Sequence, residues 1–304
     1  MKEKKIEIID KTIVILKEIY GDKLKENIPK VRELIKLLYI IGSDYIEITQ
    51  ELYYELSPLP QNVKFIIPNN NKIEVKESNK LYNMLKYESD KSNVKNIRIV
   101  GLDDLIFYDY NKIFSEIINV FGENIELCIK NECESATAMS LEWLKNGGKK
   151  VVTTFAGIGG YTPLEEVLGS LLFLEKIKLS GDQKLFPEVL NLFEDITQET
   201  LDRNMPFIGK DIFNVESGIH VNGIAKNPST YEPYDPNEIG RTRNIIIGKH
   251  SGVNALEIKL KELNIEYKTN NLKIMLENVR ELSTQKRRGL NNEEIKEIYK
   301  KCYI

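Results

Sequence analysis

Both histidines of the chain lie in one stretch, "NVESGIHVNGIAKNPSTYEPYDPNEIGRTRNIIIGKHSG", Asn214 to Gly252. His220 sits in "SGIHVNGI" and His250 in "IGKHSG". An imidazole changes charge close to neutral pH, so a histidine in a loop of this kind suits proton transfer. Gly248 and Gly252 flank His250 and let backbone come close to a bound molecule. Ser251 lies between His250 and Gly252. For His220 the expected role is packing. Cys128 and Cys133 are five residues apart with no second pair, and Cys302 stands alone, a pattern that argues against a metal or redox centre. Asp103 and Asp104 in "GLDDL" offer two carboxylates for magnesium, but the segment reads as a solvated turn. The basic "QKRRG" at 285–289 reads as a solvated helix end.

Composition narrows the setting. The chain has 304 residues, 43 basic and 46 acidic, for a net charge of −3. That balance gives no electrostatic reason to expect nucleic acid. Three cysteines make no disulfide framework, so a reducing, cytoplasmic location is expected. No apolar run of signal length opens "MKEKKIEIIDKTIVI", and none approaches the ~20 residues a membrane span needs.

The elements that must position these groups alternate. Strand candidates are "KIEIID" (5–10), "YIEIT" (45–49), "VKFIIP" (63–68), "NIRIVG" (96–101), "IELCIK" (125–130) and "KVVTTFAG" (150–157). Between them run amphipathic helices. "IPKVRELIKLLYIIGSD" sets Val31, Leu34, Ile35, Leu38 and Ile41 on one face, with Pro29 in its first turn. "YNKIFSEIINVFGEN" sets Ile113, Ile117, Ile118 and Phe121 likewise, and "ESATAMSLEWLKNGG" stops at Gly147–Gly148. Trp143 and Phe155 read as core. Strand–helix alternation means parallel strands with crossover helices, in an open sheet or a closed barrel. From about Leu164 the pattern is helical, broken only by the long connector that holds the histidines. The one low-complexity tract is "NNN" at 69–71.

That connector resembles the acyl-CoA-condensing family of homocitrate synthase, 2-isopropylmalate synthase and citramalate synthase. "ESGIHVNGI", "NPSTYEPYDPNEIGRTR" and "IGKHSG" carry the resemblance. "LYIIGSDYIEI", "TTFAGIGGYTPLEEVL" and "VRELSTQKRRGLNNEEI" extend it over most of the chain. It implies an α/β fold, a degenerate or shortened (β/α)8 TIM barrel over residues 1–205. A linker or lid and a small helical subdomain follow over 206–304. Between "IEITQ" and "IRIVG" only one clear strand is legible, which leaves one or two βα units missing.

The family's chemistry is a Claisen-type condensation on a 2-oxo acid held by a divalent cation. Its first motif, Asp-Thr-Thr-Leu-Arg-Asp-Gly-Glu-Gln, supplies an arginine and a metal aspartate. The matching run here is "DKTIVILKE", with Val14 and Ile15 at those positions. The family's His-x-His-Asn-Asp motif becomes "CIKNE", with Cys128 and Lys130 for the histidines. A protonated lysine has donors only and repels a divalent cation. The resemblance therefore implies no metal on this chain. The magnesium or manganese would sit on a partner subunit with an intact barrel, and this chain would lend the lid, in which the resemblance makes His250 the expected catalytic residue and Gly248, Ser251 and Gly252 the expected substrate contacts. Such an arrangement resembles the two-chain homocitrate synthase of some nitrogen-fixing anaerobes. A stand-alone synthase with an altered metal site and a non-catalytic regulator or scaffold are the alternatives.

Overall fold

Short runs of Ile, Val and Leu, too brief for helices, form the strands. They are β1 (Glu7–Asp10), β2 (Tyr45–Glu47), β3 (Phe65–Ile66), β4 (Lys72–Val75), β5 (Arg98–Gly101), β6 (Glu126–Ile129) and β7 (Lys150–Thr153). The computed structural model describes residues 6–68, 72–75, 97–216, 220, 223–224 and 226–303. Two compact units divide the chain, Met1–Ile208 and Gly209–Ile304.

In the first unit the seven strands among the described residues are all parallel, in the order β3-β2-β1-β7-β6-β5-β4. β7 returns to pair with β1 along its whole length, from Glu7↔Lys150 to Asp10↔Thr153, as closure of a TIM barrel requires. Among the described residues, β3 and β4 are the two edges of the sheet. Helices cross over between strands. Ile28–Ile40 buries Val31, Leu34, Ile35 and Leu38, the face its period indicates. Helix Tyr110–Phe121 is rotated from expectation, because Phe114 and Ile117 are its buried residues. The Phe114 ring meets Trp143 edge-on at 5.4 Å, which turns that face inward.

Several expected strands are trimmed. "KVVTTFAG" is strand only to Thr153, and Phe155–Gly157 is a single tight turn with Ala156 at φ 54°. β4 was not expected, so two strands rather than one lie between β2 and β5. Lys5, Asn96 and the 69–71 tract lie outside the described residues.

The second unit begins with a parallel pair absent from the sequence reading, β8 (Asn214–Val215) and β9 (Asn244–Ile245). Three helices follow, Val253–Glu262, Leu272–Lys286 and Asn292–Tyr303. Their apolar faces and Ile247 share one core that includes Leu256, Leu260, Met275, Leu276, Val279 and Ile295. No helix among the described residues is long and apolar enough to cross a membrane.

Candidate functional site

The C-terminal ends of parallel strands share one face, and barrel enzymes build their sites there. At that face Lys11 follows β1, Lys130 follows β6, and Tyr161 lies in the loop after β7. Both ammonium groups lie over the Tyr161 ring, Lys11 Nζ 4.1 Å and Lys130 Nζ 3.9 Å from its centroid. Lys130 Nζ also donates to Gly159 O at 2.8 Å. The ring in turn packs on an apolar layer of Ile9, Val100, Cys128 and Val152. Burial pushes the Cys128 thiol up, so its thiolate is disfavoured.

Val14 and Ile15 are buried on the apolar side of helix Thr12–Tyr20. Asp103 and Asp104 lie in a turn, as read, each partly exposed, and Asp103 Oδ1 accepts the Lys130 amide at 3.0 Å. Among the described residues, no group of three His, Cys, Asp or Glu side chains gathers to hold a metal. Two ammonium groups, two aliphatic side chains and a buried thiol do not fit a divalent cation.

A charged cluster links three of the strands. Arg98 of β5 reaches Glu47 of β2 at 2.5 Å and Glu126 of β6 at 2.8 Å. All three are buried. Near the upper end two more carboxyls are fully buried. Asp10 accepts the amide and the hydroxyl of Thr12 at 3.0 and 2.8 Å, and burial lifts it to about 7. Thr12 Oγ1 accepts the Phe155 amide at 2.7 Å and so ties the end of β1 to the exit of β7. Glu165 Oε2 accepts the Ala156 amide at 2.9 Å, and burial raises that carboxyl to about 8.

In the second unit, Glu216 emerges from β8 and the loop Ile247–Gly252 follows β9. Parallel pairing brings them to the same end. Glu216 Oε1 accepts the His250 amide at 3.0 Å. Ser283 Oγ accepts the Lys249 amide at 3.2 Å and donates to Arg288 O at 2.7 Å. Ser251 Oγ accepts the Gly248 amide at 2.9 Å, and Arg280 Nη2 donates to Ser251 O at 2.8 Å. Every turn of the loop is thus held through backbone, while the His250 side chain stays exposed. It lines a cavity of about 460 Å³ with Glu216, Lys249, Ser283, Arg287 and Arg288.

The flanking glycines differ. A Cβ at Gly248 would stand 2.7 Å from Glu216 Oε1 and 2.9 Å from Ser283 Oγ. At Gly252, the N-cap of helix Val253–Glu262, it would meet nothing within 4 Å. The Ser251 side chain is buried and spent on the loop itself. His220 is exposed rather than packed inside, with its ring 4.8 Å from that of Tyr231. Its neighbours Ser217–Ile219, Val221 and Asn222 lie outside the described residues. "QKRRG" is partly a helix end, as read, but Arg287 and Arg288 also line the His250 cavity.

Residues 207–287 match the family model described as "Homocitrate synthase post-HMGL domain-like". The chain is 31% identical over 340 aligned positions to the homocitrate synthase omega subunit of Clostridium pasteurianum, covering 96% of this chain and 95% of that one. The chain belongs to the homocitrate synthase and 2-isopropylmalate synthase family. Within that family it is also 35% identical over 206 positions to 2-isopropylmalate synthase 2 of Caldanaerobacter subterraneus subsp. tengcongensis. To homocitrate synthase AksA of Methanocaldococcus jannaschii it is 36% identical over 183 positions. Those alignments cover 67% and 59% of this chain, but only 53% and 45% of the two relatives. The chain thus spans about half the length of these two family members and nearly all of the omega subunit.

Proposed function

We propose that this chain is one subunit of a heteromeric homocitrate synthase and lends the His250 loop to a partner's barrel. The observation that carries the reading is the contrast between the two candidate sites. At the barrel mouth, Lys11 and Lys130 clamp Tyr161, and Lys130 stands at a position matched to one of the family's metal ligands. In the second unit, the His250 loop is fully built and its side chain is exposed. Similarity to an omega subunit along nearly the whole chain supports a multi-subunit setting.

In this reading the reaction joins acetyl-CoA to 2-oxoglutarate. A proton leaves the acetyl methyl, the new carbon–carbon bond forms at the ketone carbon, and water cleaves the thioester to give homocitrate and CoA. His250 takes the methyl proton or orients the group that does. Gly248, Ser251 and Gly252 set the loop against the thioester. Magnesium or manganese is held by the partner, which also carries the arginine and the 2-oxo acid pocket. Complementation tests this. Free-thiol release from acetyl-CoA and 2-oxoglutarate, with magnesium or manganese, is followed for this chain, for a homocitrate synthase chain with intact motifs, and for the mixture. Turnover that appears only in the mixture supports the reading. Turnover by this chain alone overturns it.

A further inference from the structure

A cavity of about 1000 Å³ lies at the N-terminal end of the strands, opposite to the end that carries Tyr161. Ile6, directly before β1, and Asp44, directly before β2, both line it. Its walls are apolar, built from Ile8, Leu141, Leu144, Leu171, Ile177 and Leu179. Helix Leu164–Phe173 ends beside it, and the segment 175–180 forms one side. That segment is pinned at both ends. The Ile177 amide donates to Leu171 O at 2.9 Å, and the Asp182 amide donates to Ile40 O at 2.9 Å. The hollow is therefore built into the fold rather than left by a loose loop.

The charges around it do not cancel. Asp44 Oδ2 accepts the Ile8 amide at 2.9 Å. Glu175 holds Lys145 at 2.8 Å. Lys176 and Lys178 stand on either side of Ile177, line the cavity, and have no ion pair among the described residues. Both are exposed, so their ammonium groups sit at the rim. Lys176 takes the left-handed φ of 56° that closes the helix end, a place glycine usually fills. A lysine stem can lie along an apolar wall while its head stays in water. An apolar hollow rimmed by two unpaired ammonium groups matches a molecule with an apolar body and one anionic head.

We propose that this cavity binds an unbranched aliphatic carboxylate, with its tail against Ile8, Leu144 and Leu171 and its head between Lys176 and Lys178. A mostly apolar hollow with a few convergent polar groups is the usual form of a small-molecule site. The proposal goes beyond the trans-lid reading and does not depend on it. The cavity lies at the far end of the strands from the barrel mouth, and in a different unit from the His250 loop.

Calorimetric titration of the full chain with decanoate, decanol and butyrate tests it. Decanoate saturates the parent protein. Butyrate, with a much shorter tail, binds at least about a hundredfold more weakly, because each methylene removed from water adds to affinity. Decanol binds at least about threefold more weakly than decanoate, the worth of a solvent-facing ion pair. Lys178→Gln weakens decanoate by about the same factor and leaves decanol unchanged. Ile177→Glu sets a carboxylate in the apolar wall and weakens both long-chain ligands at least about tenfold. Ile177 is 37% exposed, so this variant melts with the parent and its loss of affinity is not a loss of fold. Three results would each overturn the proposal: decanoate binding weaker than about 1 mM, equal affinity for decanoate and decanol, or decanoate binding unchanged in both variants.

Discussion

Replacing Gly248 by alanine should unseat the His250 loop, and the structure gives the size of the effect. The added methyl would lie 2.7 Å from Glu216 Oε1 and 2.9 Å from Ser283 Oγ. Both oxygens must withdraw by several tenths of an ångström to reach ordinary contact. Neither is free to do so. Glu216 Oε1 holds the His250 amide at 3.0 Å, and Ser283 Oγ holds the Lys249 amide at 3.2 Å while donating to Arg288 O. Weakening two such bonds, one of them to a carboxylate, costs about 2–3 kcal/mol in sum. Gly252→Ala is the control. Its Cβ meets nothing within 4 Å. The loss of up to about 1 kcal/mol at an N-cap, where glycine is favoured over alanine, is largely offset by reduced unfolded-chain entropy, so its net effect stays within about 0.5 kcal/mol. Urea unfolding of both variants, followed by far-UV circular dichroism, reads the difference. Equal stability of the two variants would refute the claim that Glu216 and Ser283 are fixed posts of the loop.

Two further predictions concern the barrel. Arg98→Met leaves Glu47 and Glu126 buried without their cation, so it should lower stability by about 3–5 kcal/mol. Adding Glu47→Gln and Glu126→Gln should recover most of that loss in the same unfolding assay. Asp10 and Glu165 are raised in the folded chain to about 7 and about 8, from 3.8 and 4.5. Raised carboxyls stabilise fully below their unfolded values and lose that contribution as pH rises through their folded values. Stability should therefore fall between pH 5 and pH 8, by up to about 1.4 kcal/mol per pH unit for each group. Glu165→Gln should flatten the slope when urea midpoints are compared across that range.

Helix faces were the most legible part of the fold. Val31, Leu34, Ile35 and Leu38 recur at helical spacing, and burial follows that spacing. Phe114 was missed because the aromatic partner that turns its helix, Trp143, is 29 positions away in sequence. β4 was missed because four residues beside an asparagine tract carry too little period to separate a strand from a loop. Strand order was not legible at all, since alternation is the same in open sheets and closed barrels. The site divides in the same way. His250 stands out by its motif, and the cation-hostile Lys130 by its type. Glu216 and Ser283 were not legible, because their contacts with the loop span about 34 residues and depend on the pairing of β8 with β9. Lys11 and Tyr161 meet only through the closure of β7 onto β1.

The most direct test of the trans-lid account is His250→Ala in the reconstituted mixture, with complex formation checked by size-exclusion chromatography. The account predicts an intact complex whose homocitrate turnover falls about 100- to 10,000-fold, the usual worth of a positioned proton-transfer group. An intact complex with unchanged turnover would contradict it.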